Sequence, residues 1–245
     1  AERLGIQVTN AADANSGSVA EFTLGLILSL AKKLPQSRDG LRKEGWSIRP
    51  QISTFDLEGK TLGVLGMGRI GTAVARKASY GFGMKVLGYR RNLPGDICAD
   101  YGILTSDLDK VIRNSDFLSI HLPYTKDTFH LVSREKLELM KPDAYLLNLG
   151  RGEVVDQAAL RELLLSNRLA GAALDVFEGE IPDADDPLLH MDQVIATPHI
   201  AGLSKQAMER LSYQAALGIT EVLEGRKVTY PVNHPEKYAS DVSVA

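Results

Sequence analysis

The sequence predicts an α/β fold in which a doubly wound parallel sheet lies between layers of helices. Two observations in the 245 residues support this prediction. Short runs rich in Val, Leu and Ile alternate in strict order with longer segments whose apolar residues recur at helical spacing. Most of the short runs are apolar throughout, which is typical of strands buried on both faces of a sheet. The predicted strands are 61–65, 85–89, 117–121, 145–149, 172–175 and 194–196.

Segments with helical periodicity lie between the predicted strands and also before and after them in the sequence. Two helices are expected outside the alternation. Residues 19–34 form a long, largely buried helix that ends near Pro35, and residues 204–224 form an amphipathic helix closed by Gly225. The last residues, 230–245, contain two prolines and are expected to be an extended tail. The helices predicted between the strands are 70–80, 107–114, 134–140 and 156–166.

Composition narrows the class of protein. The formal net charge is −3 and there is no basic block, so we expect neither a nucleic-acid-binding surface nor a membrane-attracting patch. The longest apolar stretch, 22–31, is too short to span a bilayer, which takes about 20 apolar residues. No secretory leader opens the sequence, and the single cysteine, Cys98, excludes a disulfide framework and is expected to be an ordinary thiol. These features favour a cytoplasmic location.

A glycine-rich motif, GMGRIG, follows the first predicted strand and opens the next helix. Gly66 permits a tight turn, Gly68 allows the backbone to approach a pyrophosphate, and Gly71 lets the helix pack closely on the strand. Arg69 and Ile70 begin the helix, whose N-terminus carries free N–H groups and partial positive charge. Without its context the motif would indicate only a glycine-rich turn. Between a strand and a helix it predicts a Rossmann-type dinucleotide-binding site.

The end of the second predicted strand bears on the choice of dinucleotide. An acidic residue there would bind the ribose hydroxyls of NAD, but the strand is followed by Arg90 and Arg91, and the first carboxylate is Asp96. Two guanidinium groups are suited to pair with the 2′-phosphate of NADP. The alternative is a solvated pair of surface arginines. The sequence therefore favours NADP over NAD as the cofactor.

Three polar residues near the predicted strand ends have chemistry suited to a 2-oxo acid. In open α/β folds, ligands bind beyond the carboxyl ends of the strands. Arg151 offers a planar fork for a carboxylate, His199 can exchange a proton, and Glu180 could accept a hydrogen bond from the second ring nitrogen of that histidine. Taken singly, Arg151 and Glu180 could be surface charges and His199 a capping or loop histidine. We predict no metal site.

Residues 64–202 resemble the D-isomer-specific 2-hydroxyacid dehydrogenases. Several long motifs occur in the family's order, and the succession Arg151, Glu180, His199 is similar to the family's catalytic triad. The motifs are VLGMGRIG at 64–71, HLP at 121–123 with Thr125 and Thr128, NLGRGEVVD at 148–156, ALDVFEGE at 173–180 and TPHIAG at 197–202.

The resemblance implies an NAD(P)-dependent oxidoreductase that transfers a hydride between a nicotinamide cofactor and a small 2-hydroxy or 2-oxo acid. Arg151 would bind the carboxylate and carbonyl of the substrate, His199 would be the acid/base, and Glu180 would tune that histidine. Asp175 and the backbone around Asn148 and Arg151 would hold the nicotinamide. The other residues expected at the cofactor are His121, Leu122 and Pro123 at the adenosine end, with Thr125, Leu149, Gly150, Ala201 and Gly202.

Within the family, Glu180 distinguishes this chain from formate dehydrogenases, which carry Gln there. Glyoxylate/hydroxypyruvate reductases and phosphoglycerate dehydrogenases are the nearer relatives, and a phosphite-oxidising member that shares the triad stays an alternative. Two rivals come from other classes. One is an NAD(H)-sensing interaction protein similar to the transcriptional corepressors that resemble this family, and the other is an isolated cofactor-binding module without turnover.

The resemblance also implies a domain organisation. Residues 19–202 would form the dinucleotide-binding domain, and residues 1–18 and 203–245 would be remnants of a flavodoxin-like substrate domain. Residues 4–10 look like the last strand of that domain, and roughly the first 80 residues of a typical member would be absent. Members usually form dimers through the cofactor domain, so we expect a homodimer with the 19–34 helix at its interface.

Overall fold

Seven parallel strands form one sheet in the computed structural model, which describes residues 1–91, 104–105 and 107–235. The strands are β1 Thr61–Leu65, β2 Lys85–Tyr89, β3 Leu104–Thr105, β4 Phe117–Ile120, β5 Tyr145–Asn148, β6 Gly171–Leu174 and β7 Val194–Ala196. Their order across the sheet is β3-β2-β1-β4-β5-β6-β7, and every neighbouring pair is parallel. The predicted doubly wound fold is confirmed, and each predicted strand lies within one residue of its expected bounds.

Helices cover both faces of this sheet. The α-helices of the described residues are α1 Ser16–Ala31, α2 Leu34–Glu44, α3 Arg69–Phe82, α4 Leu108–Asn114, α5 Arg134–Leu137, α6 Gln157–Leu165 and α7 Lys205–Leu223. Strand side chains alternate between two apolar cores. Phe117 and Leu147 belong to the core with α1 and α3, whereas Leu118 and Leu146 belong to the core with α4, α5 and α6. Burial on both faces explains why the strands appear in the sequence as uninterrupted apolar runs.

The prediction of one helix over 19–34 is wrong at its carboxyl end. The helix α1 ends at Ala31, Lys33 takes a left-handed conformation with φ 47°, and α2 begins at Leu34. Pro35 therefore lies in the first turn of α2. A first-turn proline loses no hydrogen bond, because the first N–H groups of a helix have no partner within it, and the fixed φ of proline suits the helix. The proline marks the start of a helix rather than its end.

The strand expected at 4–10 is not formed. Its first residue belongs to a 3-10 turn, Glu2–Leu4, and within the described part of the chain Thr9 makes only an isolated antiparallel bridge, with Pro231. A regular ladder cannot continue through proline, which has no N–H to donate.

The chain divides into two compact units. The larger, Val19–Ala201, holds the whole sheet, and the smaller combines Ala1–Ser18 with the described residues from Gly202 onward. Gly202, which the sequence analysis assigned to the cofactor domain, thus falls in the smaller unit. In that unit Arg210 on α7 donates to the carbonyl of Ala14 at 2.8 Å.

Three sequence-based expectations concern positions outside the described residues. Cys98 was expected to be an ordinary thiol, and Asp96 to be the first carboxylate after β2. Both lie in a stretch that the structure does not describe, as do residues 236–245 of the expected extended tail.

Asp116, which directly precedes β4, joins the amino ends of three central strands. Its N–H donates to the Thr61 carbonyl at the start of β1, and its carbonyl accepts from the Tyr145 N–H at the start of β5. Its carboxylate accepts from the Thr61 N–H and from the Lys141 ammonium, each at 2.7 Å. Burial by itself would raise the pKa of the Asp116 carboxyl, but the hydrogen bonds outweigh burial and hold that pKa below its usual value. These contacts help to fix the register of the sheet.

We expect Asp116→Asn to lower the free energy of unfolding at pH 7 by about 1–2 kcal/mol, because the amide loses the charge-assisted bond to Lys141. A depressed pKa contributes stability above the pKa of the unfolded state, about 3.9 for Asp, and that stability is lost as pH falls through the folded value. The difference between variant and wild type should therefore shrink towards pH 3. Denaturant titrations at both pH values measure it, with the exposed Asp185→Asn as control. A difference that stays constant across this pH range would contradict the assigned role.

Candidate functional site

The strand order reverses direction between β1 and β4, the neighbours near the centre of the sheet. The chain builds outward from β1 through β2 to β3 on one side, and from β4 through β5 and β6 to β7 on the other. Such a switch point leaves a crevice at the carboxyl ends of the two strands, where open α/β sheets bind ligands. The glycine motif follows β1 and His121 follows β4, so both predicted elements lie at this crevice.

Two glycines of the motif leave no room for a side chain. Gly66 has φ 102°, and a Cβ there would lie 2.7 Å from the carbonyl oxygen of His121 in the neighbouring loop. A Cβ on Gly71 would lie 2.2 Å from the Gly66 carbonyl oxygen. At Gly68, directly before α3, a Cβ would meet no protein atom within 4 Å. Space is therefore open in front of the first turn of α3, whose N–H groups have no partner within the helix, and this arrangement suits a phosphate.

A cavity of about 330 Å³ lies beside this loop. Its size and mixed polar and apolar lining suit the adenosine and phosphate groups of a dinucleotide. Arg69 and Ile70, also predicted, are the first two residues of α3 and are not among those that line it. The predicted residues that line the cavity are Gly66, Gly68, Arg90, Arg91, His121, Leu122, Pro123 and Thr125.

The two arginines that follow β2 differ in their surroundings. Both are exposed and line the cavity. Arg91 donates through Nη1 to the carboxylate of Asp127 at 2.5 Å. Arg90 has neither an ion pair nor a side-chain hydrogen bond with any residue in the described ranges. From the sequence the two guanidinium groups were expected to be equivalent, whereas in the structure one of them is engaged by a carboxylate of the same cavity.

The ring of His121 carries a polar atom that the protein does not satisfy. Its Nε2 lies 2.9 Å from the hydroxyl of Ser119, and burial lowers the pKa of His121 to about 4, so that the ring is neutral at pH 7. Its Nδ1 is buried and has no hydrogen-bond partner among the residues that the structure describes. A buried polar atom without a partner is costly, and a ligand with a complementary group in the adjoining cavity would remove that cost.

Asn148 shapes the loop that carries Arg151. Its side chain is buried, and its Oδ1 accepts from the Gly150 N–H at 3.1 Å while its Nδ2 donates to the Arg151 carbonyl at 3.0 Å. The Leu149 side chain is buried in the core with α1 and α3. The side chains of Asn148 and Leu149 are therefore occupied within the protein, so at these two positions only backbone groups are available to a ligand.

Asp175, the residue after β6, is buried beneath the loop that follows β7. Its side chain is 1% exposed. Its Oδ1 accepts from the Thr197 hydroxyl at 2.6 Å and the Ile200 N–H at 2.9 Å, and its Oδ2 accepts from the Ala201 N–H at 3.0 Å. All three donors belong to the loop that carries His199. Asp175 was expected at the nicotinamide and Ala201 among the cofactor-binding residues, and in the structure the bond between them helps to anchor this loop.

Glu180 and His199 line one cavity of about 460 Å³ together with Asp175. Both are exposed to solvent and have positive φ angles, 69° and 54°, which cost about 1–3 kcal/mol each in residues other than glycine. Their side chains make no hydrogen bond or ion pair with each other in the described structure. The structure thus brings the expected acid/base and its expected partner to one cavity without a direct bond.

Arg151 is not among the residues that line this second cavity. It is exposed after β5, and its Nη1 donates to the carbonyl of Gly150 at 2.7 Å. Of the three residues expected to be catalytic, the structure therefore brings two to the same cavity and leaves Arg151 bonded within its own loop.

Two side-chain pairs near these loops were not predicted. One is the ion pair of Arg91 with Asp127, and the other joins His130 Nε2 to Glu178 Oε1 at 2.9 Å. The second pair links the loop after β4 to the loop after β6, and the His130 ring stacks on Phe129 at 4.1 Å between centroids. The partners are 36 and 48 positions apart, so no local pattern in the sequence could indicate either pair.

Other surface features hold none of the predicted residues. A larger groove, of about 700 Å³, lies along α2 and has basic and acidic side chains in its lining, among them Lys43, Asp39 and Glu44. Within residues 1–91, 104–105 and 107–235, no group of three or more His, Cys, Asp or Glu side chains is arranged to hold a metal ion. In the same ranges, no helix combines the length and apolar character needed to cross a bilayer.

Residues 24–201 match the model of a known protein family, described as D-isomer specific 2-hydroxyacid dehydrogenase, NAD binding domain. The chain is also 40% identical over 232 residues to the D-3-phosphoglycerate dehydrogenase of Methanocaldococcus jannaschii, in an alignment that covers 94% of this chain and 44% of that protein. This chain therefore spans less than half the length of that relative. The family resemblance seen in the sequence is confirmed.

Two solved structures share the fold over most of this chain. The D-lactate dehydrogenase of Aquifex aeolicus, in complex with NAD and lactic acid, has a TM-score of 0.84 and 35% identity, and the match covers 91% of this chain and 71% of that one. The NADPH-dependent glyoxylate/hydroxypyruvate reductase of Sinorhizobium meliloti, in complex with NADP and malonate, has a TM-score of 0.82 and 32% identity, with 93% and 70% covered. These matches support a nicotinamide cofactor and leave the choice between NAD and NADP open.

We expect Asp175→Asn to loosen the loop that carries His199. The amide keeps one acceptor oxygen, and its NH₂ group then opposes an N–H of the loop, so bonds to a charged group worth about 1.5–3 kcal/mol each are lost. Hydrogen exchange at the Ile200 and Ala201 amides should become about tenfold faster or more. The exposed Asp192→Asn is the control. Amides that remain as protected as in wild type would show that the carboxylate does not anchor the loop.

Proposed function

The chain belongs to the D-isomer specific 2-hydroxyacid dehydrogenases, and from this premise we propose that its whole protein interconverts small 2-hydroxy and 2-oxo acids with a nicotinamide cofactor. The observation that supports the proposal most directly is the cavity shared by Glu180 and His199 at the edge of the sheet that also carries the glycine motif. Oxidoreduction at a carbonyl carbon requires a group that moves a proton beside a site for the cofactor.

The residues at the switch point fit such a cofactor, which supplies or accepts the hydride when bound. The open space before α3 would hold the pyrophosphate, and the cavity of about 330 Å³ would hold the adenosine. The backbone around Asn148 would face the nicotinamide, together with the loop anchored by Asp175. The orphaned Nδ1 of His121 in the same crevice supports this assignment.

His199 would act as the acid/base at the substrate oxygen. It would give a proton to the carbonyl oxygen during reduction and take one from the hydroxyl during oxidation. Glu180 would accept a hydrogen bond from the other ring nitrogen, which requires a side-chain movement because the two groups are not bonded here. Arg151 would bind the substrate carboxylate through its planar guanidinium, and it would have to give up its bond to the Gly150 carbonyl.

NADP is the cofactor that this proposal favours. Arg90 is exposed at the adenosine cavity, has no carboxylate partner in the described chain and follows the strand end where a carboxylate would select NAD. The substrate class is a small 2-oxo or 2-hydroxy acid, as in the glyoxylate/hydroxypyruvate reductases and phosphoglycerate dehydrogenases.

The proposal extends to the organisation of the whole protein. Residues 19–202 would be its dinucleotide-binding domain, and residues 1–18 and 203–245 would belong to a second, flavodoxin-like substrate domain. The protein would form a homodimer through the cofactor domain and act in the cytoplasm. The net charge of −3, without a basic block, supports a partner that is a small acid rather than a nucleic acid or a membrane.

We expect His199→Asn to reduce the rate of 2-oxo acid reduction in the whole protein by about 10²–10⁴-fold, the usual contribution of general acid catalysis. Asparagine tolerates the left-handed backbone at this position, so the loop should keep its shape. The affinity for the cofactor should change little. Absorbance of NADPH or NADH with a panel of 2-oxo acids measures turnover.

The matched control is His190→Asn, which changes another exposed histidine whose ring bonds a backbone carbonyl. It should keep wild-type turnover. A His199→Asn protein with more than about a tenth of the activity would refute the acid/base assignment. Dinucleotide binding by wild type without turnover of any 2-oxo acid would favour the sensor-like protein or the isolated binding module.

We expect the wild-type chain to bind NADPH more tightly than NADH, and Arg90→Asp to reverse the order. The variant loses a phosphate partner worth about tenfold in affinity and gains an acceptor for the ribose hydroxyls. Fluorescence titration of both cofactors measures this, with Arg42→Asp on α2 as a charge-matched control. A wild type that prefers NADH would defeat the assignment of NADP.

A further inference from the structure

We infer that Asp127 reduces the preference of the adenosine cavity for NADP by competing with the 2′-phosphate for Arg91. The inference rests on the proposed function, because it concerns the cavity assigned there to the adenosine. It adds a specificity-determining residue that lies on the loop after β4 rather than directly after β2, where Arg90 and Arg91 lie.

The first support is the geometry of the pair. Arg91 and Asp127 line the same cavity, and Nη1 of the arginine lies 2.5 Å from Oδ2 of the carboxylate. Their side chains are 64% and 69% exposed. A ligand that enters the cavity can therefore reach the guanidinium, and the ion pair can open without uncovering a buried charge.

The second support is that Asp127 is held in place by its loop. The hydroxyl of Thr128 accepts from the Thr125 N–H at 2.8 Å and donates to the Pro123 carbonyl at 2.7 Å. The Thr128 N–H also donates to the Thr125 carbonyl at 3.0 Å. These bonds close a tight turn with Asp127 inside it. The backbone of Asp127 is thus held by the turn, which keeps its side chain beside the cavity.

The negative charge of the 2′-phosphate distinguishes NADPH from NADH in this cavity. A guanidinium can pair with a carboxylate or with a phosphate, so the 2′-phosphate must displace Asp127 from Arg91 or share the arginine with it. The ribose hydroxyl of NADH carries no charge, so NADH does not need to displace this carboxylate. Asp127 should therefore weaken NADPH binding selectively and leave Arg90 as the main partner of the phosphate. The pair is solvent-exposed, so the effect is a few-fold change rather than several orders of magnitude.

The test is a titration of NADPH and NADH into wild type and Asp127→Asn, followed by fluorescence. We expect NADPH to bind about fivefold more tightly to the variant and NADH to change by less than about twofold. The gain should diminish at about 0.5 M salt, because screening weakens exposed charges. The Asp127 side chain is exposed, so the variant should fold, which thermal unfolding verifies.

Glu162→Gln is the matched control, because it removes the charge from an Arg–carboxylate pair with Arg134 that is also exposed and also 2.5 Å long, and neither residue lines the adenosine cavity or the cavity of Glu180 and His199. This variant should leave the ratio of the affinities for NADPH and NADH unchanged. In an Arg91→Ala background, Asp127→Asn should increase the affinity for NADPH much less than it does in the wild-type background. A gain that persists in full there would overturn the competition for Arg91.

The outcomes separate this inference from the proposed function. Binding of NADPH with no change in Asp127→Asn, or with equal changes for both cofactors, overturns the role of Asp127 and leaves the dehydrogenase proposal intact. A wild-type chain that binds neither cofactor overturns the proposed function and this inference with it.

Discussion

The buried carboxylate of Asp175 is the contact on which the candidate site depends. A charge in the interior is costly unless several donors share it, and here all three donors belong to the loop after β7. The same loop holds His199 in a left-handed conformation that costs about 1–3 kcal/mol. Hydrogen bonds to a charged group contribute about 1.5–3 kcal/mol each, which is enough to offset that strain. The backbone position of His199 is thus determined by a side chain at the end of the neighbouring strand.

The sheet could be predicted from the sequence because burial on both faces leaves a largely apolar run at the central strands β1, β4, β5 and β6. The run at β4 even tolerates Ser119, which is fully buried and whose hydroxyl lies within hydrogen-bond distance of His121. The strand β3 could not be found in this way, since a pairing of two residues leaves no periodic pattern. Pro35 was ambiguous for a different reason, because the same residue type can follow one helix or begin the next.

The residue types of the site could be predicted from the sequence more fully than the contacts between those residues. The glycine motif depends on local geometry, so Gly66 could be identified from six consecutive residues. Which carboxylate meets which cation depends on loops that leave different strands. The approach of Asp127 to Arg91 and the bonds of Asp175 to residues after β7 are of this kind. Periodicity reports which face of a strand is buried, and it contains no information about the reach of the loops beyond it.

The smaller unit draws its two segments from opposite ends of the described chain. The Val8 N–H donates to the side chain of Asn233, 225 positions later. The smaller unit can therefore close only after the residues around Asn233 have been synthesised, whereas the larger unit, Val19–Ala201, is complete earlier. A translation product that stopped after Ala201 would retain the complete sheet and the residues that line both cavities, but residues 1–18 would lack their partners in the smaller unit. Segments without partners are preferred sites of proteolysis, so interrupted products would be cleaved within residues 1–18.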